Sequence, residues 1–108
     1  MEAISMELIR LAQSGDADAF SQIYNQCYKH VYTYALRLCG NEADAKDIAQ
    51  ETFLQIHKSI QSLQSPEAFP LWLNRIVYSK FHRILAKRRE AALEQDQLNY
   101  HVDQSDRA

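Results

Sequence analysis

The chain has 108 residues and a net charge of −2, with a hydrophobic content of 46% and only two glycines and two prolines. The length excludes two full domains, and the hydrophobic content excludes a disordered chain. Because turn residues are few and few stretches alternate in the manner of strands, the sequence predicts an all-α fold, a compact bundle of about four helices.

The first two predicted helices are separated by a glycine. Residues 4–14 form a short amphipathic helix that ends at Gly15, and Asp16 is placed to cap a longer helix over residues 17–38. Gly40 and Asn41 end that second helix. The first helix is expected to turn Ile4, Leu8, Leu11 and Ala12 inward. The apolar face of the second helix consists of Ala19, Phe20, Ile23, Tyr24, Cys27, Val31, Tyr34, Ala35 and Leu38.

The third predicted helix covers residues 42–60 and begins at the capping residue Asn41. Its apolar side consists of Ala45, Ile48, Ala49, Thr52, Phe53, Ile56 and Ile60. Its outer face is predicted to show Asp44, Asp47, Gln50, Glu51, Gln55 and Lys58. An acid–amide–acid strip of this kind offers hydrogen-bond acceptors to an arginine-rich partner, and an ordinary solvated helix face is the open alternative.

The fourth predicted helix follows a polar break and covers residues 66–89. Ser65 is a candidate N-cap, Pro66 fits the first helical position, and Pro70 lies within the first turn. The apolar stripe consists of Phe69, Trp72, Leu73, Ile76, Val77 and Ile84. The other face carries Arg75, Tyr78, Lys80, Phe81, His82, Arg83, Lys87, Arg88 and Arg89.

Charge is strongly segregated along the chain. Residues 66–89 contain six lysines and arginines against one acid, Glu67, whereas the rest of the chain contains six basic and thirteen acidic residues. Cations and aromatic rings on one helix suit a nucleic-acid strand, since phosphates pair with the cations and unstacked bases lie on the rings. On charge alone, a solvated basic face is an equally good interpretation.

Catalytic and cofactor chemistry finds no support in the sequence. Gly15 and Gly40 are predicted helix ends and form no phosphate-binding loop, and no serine or cysteine lies in a nucleophile motif. The four histidines are far apart, and Cys27 and Cys39 fall on apolar helical positions, as buried free thiols do. We expect no enzyme activity, no catalytic residue, no cofactor and no metal site.

The C-terminal stretch is polar, acidic and weakly periodic. We therefore predict a domain over residues 1–90 and a flexible acidic tail over residues 91–108. The sequence has no apolar run that could span a membrane and no signal peptide, so we expect a cytoplasmic protein without membrane insertion.

The order of the motifs resembles region 2 of the extracytoplasmic-function (ECF) sigma factors, a family of bacterial transcription initiation factors. The motifs are GDADAF, a tyrosine-bearing helix with a glycine turn, EADAKDIAQETFLQIHKSI, and AFPLWLNRIV followed by a basic run. The resemblance covers about residues 6–90. DIAQETF and the segment with Phe69, Trp72, Leu73, Arg75 and Ile76 together, in this order and spacing, carry it.

The resemblance implies specific partners. It assigns binding of the RNA polymerase core, through the β′ clamp helices, to the third helix, on residues Asp47, Ile48, Gln50 and Glu51. It implies that the fourth helix reads the promoter −10 element as melted single-stranded DNA, on residues Arg75, Tyr78, Ser79, Lys80, Arg83, Lys87 and Arg88. The preceding loop, from Ser62 to Pro66, resembles the pocket for a flipped-out base, with Leu63 and Gln64 as its candidate contacts. An anti-sigma factor is a further implied partner.

The chain also departs from the family pattern. Ser79 and Arg83 stand where the family commonly has Asn and Asp, which affects base preference more than strand binding. Leu63 takes the place of an aromatic residue found in some members. Members of the family carry a second helical domain with a helix-turn-helix. We therefore expect this sequence to be either a fragment or one part of a split factor.

Two other functions remain open from the sequence. One is a protein-interaction module, such as an adaptor or decoy that binds a regulator without touching DNA. The other is a small binder of double-stranded DNA, which is the weaker option because no helix-turn-helix pair with a base-reading face is apparent.

Overall fold

Four α-helices follow one another in the computed structural model, which describes residues 4–107 and the side chains of residues 4–95. They are α1 (Met6–Gln13), α2 (Ala17–Cys39), α3 (Glu42–Ser59) and α4 (Phe69–Arg107). Two 3₁₀ turns, Ile60–Ser62 and Pro66–Ala68, lie between α3 and α4. The described residues contain no strand, so the predicted all-α class is confirmed.

Local capping signals set the ends of the first helices, as predicted. The Asp16 carboxylate accepts a hydrogen bond from the Ala19 N–H at 2.9 Å. The Asn41 side-chain oxygen accepts one from the Asp44 N–H at 3.0 Å. Gly15 and Gly40 adopt φ angles of +98° and +68°, which glycine reaches without the steric cost that a Cβ brings.

The core lies where α2, α3 and the first part of α4 meet, and α1 covers one side of α2. The residues that fill it are Leu8, Ile9, Ala12, Ala19, Ile23, Cys27, Val31, Ala35, Ala45, Ile48, Ala49, Phe53, Ile56, Ile60, Leu63, Phe69, Leu73 and Val77. The inward face predicted for α1 was wrong at one position. Leu11 is exposed and Ile9 is buried in its place, because α1 is rotated by a fraction of a turn from the predicted face.

Both cysteines are free thiols, as predicted. Cys27 is buried in the core, and this burial raises the pKa of its thiol to about 11. Cys39 is half-buried beside the Gly40 turn. Of the two tyrosines predicted on the apolar face of α2, Tyr34 is half-buried, whereas Tyr24 is 40% exposed and was wrongly placed.

The fourth helix is longer than predicted. The sequence predicts a flexible tail from residue 91, whereas α4 continues to Arg107. The stretch after Pro70 contains neither glycine nor proline and is rich in strong helix formers, so no residue ends the helix. The predicted domain boundary at residue 90 falls inside this helix and stays a prediction.

Within the described part of the chain, no helix combines the length and the apolarity that a bilayer crossing requires.

Candidate nucleic-acid interface

The outer face of α3 carries the strip that the sequence assigns to a protein partner. Asp47 and Gln50 are exposed and Glu51 is half-buried. Ile48 is fully buried, so it supports the strip from the core and is not itself available for contact. Leu54, one turn further on, is 56% exposed. The strip therefore combines acids, an amide and one apolar side chain.

One acid predicted for the outer face of α3 is buried. Asp44 is only 8% exposed, and its Oδ1 lies 2.6 Å from Nη2 of Arg88 on α4. The prediction that Asp44 is a solvated outer residue was wrong, because a cation from a distant part of the chain covers it. Arg88, predicted to bind DNA, has an intramolecular partner in this structure. Within the described side chains this is the one ion pair.

The later cations of α4 face the carboxylates of α3. Lys87 and Arg88 line a groove together with Asp47, Gln50, Glu51, Leu54, Ile84 and Ala91. A second groove joins Lys80 and Arg83 to Glu51, Leu54, Gln55 and Lys58. Lys80 Nζ also donates to Gln55 Oε1 at 3.4 Å. These cations therefore do not form a purely basic surface, because neighbouring carboxylates lower the local potential.

Glu51 is the central acid between these grooves. Its Oε2 is buried and has no hydrogen-bond partner among the described residues. A buried carboxylate oxygen without a partner costs free energy, so a donor from a binding partner is favoured at this point. Of the residues in the strip, Glu51 is therefore the one that a hydrogen-bond donor from a binding partner would stabilise most.

The first part of α4 presents a different surface. A groove between α2 and α4 is lined by Tyr34, Leu71, Asn74, Arg75, Tyr78 and Ser79, none of them acidic. Arg75, Tyr78 and Ser79 are exposed. An interhelical hydrogen bond of 2.8 Å joins His30 Nε2 to Asn74 Oδ1 and fixes α4 against α2 at this groove. The arrangement offers a cation, an aromatic ring and a hydroxyl on one rigid face.

An aromatic group continues this surface along α4. Tyr78 packs edge-on against His82, with ring centroids 4.4 Å apart, and Phe81 lies 5.2 Å from His82. Tyr78 is 49% exposed, so its ring is available to a ligand while its neighbours restrict its rotation. Rings held in this way are suitable platforms for unpaired bases.

The loop before α4 is more buried than predicted. Leu63 is 8% exposed and belongs to the core, so its side chain would have to leave the core to contact a base. Gln64 is exposed and is the better candidate of the two. The carbonyls of Ile60 and Leu63 accept hydrogen bonds from Nε2 of Gln13, at 3.0 Å and 2.7 Å.

The start of α4 also differs in detail. Ser65 makes no capping hydrogen bond with its side chain. Its hydroxyl donates to the Glu67 carboxylate instead, and this bond, with the Glu67 backbone N–H and the nearby Arg10, lowers the pKa of Glu67. Pro66 opens a 3₁₀ turn, and α4 itself begins at Phe69. Ser65 and Pro66 therefore take the predicted cap and first positions, but of the 3₁₀ turn and not of α4, and Ser65 does not cap with its side chain. Pro70 lies in the first turn of α4, as predicted.

Sequence reasoning missed four residues of these surfaces. Leu71 and Tyr34 line the acid-free groove, Leu54 lies in the α3 strip, and Gln13 holds the loop. The exposed positions of Leu54 and Leu71 follow from helical periodicity, since each falls outside its apolar stripe. The role of Gln13 has no local signal, because its partners lie 47 and 50 residues away.

Comparison with known proteins identifies similar chains. Residues 23–91 match the family model of sigma-70 region 2. The chain is 36% identical over 76 residues to "ECF RNA polymerase sigma factor SigE" of Mycolicibacterium smegmatis, a match that covers 70% of this chain and 29% of SigE. The same identity and length relate it to SigW of Bacillus subtilis, of which 41% is covered.

A third relative, BldN of Streptomyces coelicolor, bears the same ECF description and is 44% identical over 55 residues, covering 51% of this chain and 21% of BldN. The chain thus spans less than half the length of each of these relatives.

Proposed function

This chain belongs to the sigma-70 region 2 family, in its ECF branch, and from that premise we propose that it acts in transcription initiation by binding the RNA polymerase core and holding the promoter −10 element as single-stranded DNA. Members of the family are transcription regulators and not enzymes, and no catalytic step is proposed.

The acid-free groove on the first part of α4 is the observation that carries the DNA proposal. Arg75 supplies a cation for a phosphate, and Tyr78 supplies a ring for an unstacked base. Ser79 adds a hydroxyl that donates to or accepts from a base edge. Base faces are available for stacking only in a melted strand, so binding shifts the duplex toward the open state.

The α3 strip is the surface proposed for the polymerase. Asp47 and Glu51 are carboxylates four residues apart on one helix face, with Gln50 beside them. Charge-assisted hydrogen bonds from arginines of the β′ clamp helices would supply the donor that Glu51 Oε2 lacks. An anti-sigma factor that covers this strip would compete with the polymerase.

The DNA proposal is tested by salt titration of a fluorescent single-stranded oligonucleotide. If Arg75, Lys80, Arg83 and Lys87 all contact phosphates, the log–log slope of affinity against salt should be near −3, at about −0.7 per contact. A flat salt response would contradict strand binding. A second candidate function is a protein-interaction module without DNA binding. The α3 carboxylates beside Lys80, Arg83 and Lys87 favour it, because they reduce the positive potential there. The same titration separates the two functions, since such a module would not bind the strand.

The polymerase proposal is tested with a fragment that contains the β′ clamp helices. The double substitution Gln50→Ala with Glu51→Arg should abolish its capture, because it removes the amide and reverses the central charge. Glu42→Arg is the matched control, since it makes the same change of charge at an exposed position one turn before the strip. Equal capture by both variants would contradict the assignment.

A further inference from the structure

We propose that Gln13 is a positioning residue for base recognition: from α1, its side-chain amide holds the loop of residues 60–66 in the shape that receives an unpaired base. The proposal rests on the proposed DNA function and adds to it a residue outside the family match, which begins at residue 23.

The geometry of the Gln13 amide carries the inference. Its Nε2 donates to two backbone carbonyls, those of Ile60 at 3.0 Å and Leu63 at 2.7 Å. The NH₂ group has two hydrogens, so each carbonyl can take one, and both donors are used. The Gln13 side chain therefore joins the two ends of the first 3₁₀ turn to the end of α1.

The loop needs such a donor because its own backbone leaves a carbonyl unpaired. The Leu63 N–H closes the 3₁₀ turn onto the Ile60 carbonyl at 3.2 Å. Leu63, at ψ 115°, and Ser65, at ψ 124°, are extended, so the chain between the two 3₁₀ turns makes no helical hydrogen bonds. Within the described residues, the hydrogen-bond donor to the Leu63 carbonyl is the side-chain amide of Gln13.

The position of Gln64 depends on this attachment. The side chain of Leu63 is buried in the core and its carbonyl accepts a hydrogen bond from Gln13. Both contacts fix the residue that immediately precedes Gln64. Gln64 is then presented to solvent just before the second 3₁₀ turn, which leads into the start of α4. A loop fixed in its binding shape loses less conformational entropy when a ligand binds.

The packing of α1 against this segment points the same way. α1 contacts both 3₁₀ turns, Ile60–Ser62 and Pro66–Ala68. The short first helix thus restricts the conformation of the loop in addition to packing on the core.

The test compares Gln13→Met with the wild-type chain of 108 residues. Methionine keeps the length of the side chain and removes both donors. The probes are 12-nucleotide strands of dT, dA, dC and dG and a 12-nucleotide abasic strand, which has the phosphates without the bases. The readout is the ratio of the affinity for the preferred base strand to the affinity for the abasic strand.

Gln13→Met should lower this ratio roughly fivefold or more, the size expected for losing one net hydrogen bond to a base, and should leave the abasic affinity unchanged. Gln13→Lys should restore most of the ratio, because an ammonium group again donates to carbonyl oxygens. Gln22→Met, at an exposed position of α2, is the matched control and should behave as wild type. A general loss of stability would lower both affinities together, and the lysine variant should not reverse it.

An unchanged ratio in Gln13→Met would overturn the proposal, as would a loss that Gln13→Lys fails to restore. If the wild-type chain binds none of the strands, the proposed DNA function fails instead. If it binds all strands and the abasic strand equally, the loop captures no base and the role of Gln13 is rejected while phosphate binding stands.

Discussion

The two parts of α4 that carry the basic charge differ in almost every physical respect. In the first part, residues 69–79, Phe69, Leu73 and Val77 are fully buried, and the exposed face lines a groove without acids. In the second part, residues 80–95, no side chain is fully buried and the cations share grooves with the carboxylates of α3.

This difference shows that a basic segment in a sequence is not one surface. The six cations of residues 66–89 look uniform in the sequence, yet Arg75 faces a groove without acids whereas Lys87 and Arg88 face Asp47 and Glu51. We infer that the first part of α4 makes the strongest contacts with the DNA strand, and that the cations of the second part add weaker contacts beside the proposed polymerase surface. The following experiments test that division and the core on which α4 packs.

The largest effect is expected from removing the anchor of the first part. Phe69→Ala should lower the free energy of unfolding by about 3–5 kcal/mol, because a fully buried ring is replaced by a cavity. Ile84→Ala, in the half-buried second part, should cost only about 1 kcal/mol, since solvent already reaches the site. Denaturant unfolding measures both, and equal losses would contradict the division.

The next effect concerns the ion pair between the second part and α3. Arg88→Met should destabilise the fold by about 1 kcal/mol, because it leaves the nearly buried Asp44 carboxylate without its cation while the exposed Arg88 gains little from pairing. Arg89→Met is the control, as Arg89 is an exposed neighbour. A double-mutant cycle with Asp44→Asn isolates the pair, and a coupling of zero would show that the contact adds nothing.

A smaller effect should separate the two parts in DNA binding. Arg75→Gln should reduce the magnitude of the salt slope by about 0.7, the value for one phosphate contact on a single strand. Lys87→Gln should reduce it by less, because Asp47 and Glu51 already neutralise that region. If Lys87→Gln has the larger effect, the strand follows the second part of α4 and the division is reversed.

The smallest effect on the fold is expected from thiol modification, which reports on the shared core. In the native chain at pH 8, a thiol reagent should label Cys39 and spare Cys27. The Cys27 pKa of about 11 leaves almost no thiolate at that pH, and burial blocks access. Mass spectrometry of labelled peptides gives the answer, and rapid labelling of Cys27 would mean that the core opens readily.

Features that depend on neighbouring residues were predicted well from the sequence. The caps at Asp16 and Asn41 and the turns at Gly15 and Gly40 involve contacts within a few residues, which a sequence pattern contains directly. The helical periodicity also assigned most of the core. The prediction placed Leu11 inward instead of Ile9, because a helix as short as α1 offers only two turns from which to judge the buried face.

Features that depend on distant contacts were not predictable in this way. Asp44 has the position of an outer residue within α3, and only the arrival of Arg88, 44 residues later, explains its burial. Leu63 lies in a polar stretch, yet its side chain packs in the core and its carbonyl accepts a hydrogen bond from Gln13. The extension of α4 was missed for another reason, since sparse apolar residues were weighed above strong helix propensity.

The continuity of α4 has a mechanical consequence. The helix runs unbroken from the groove at Tyr78 past the ion pair at Arg88 to Arg107, in a molecule that measures 68 × 23 × 21 Å. From Arg88 to Arg107 it extends about 28 Å. A rigid tilt of this stretch by about 10° around Arg88 would displace its far end by about 5 Å.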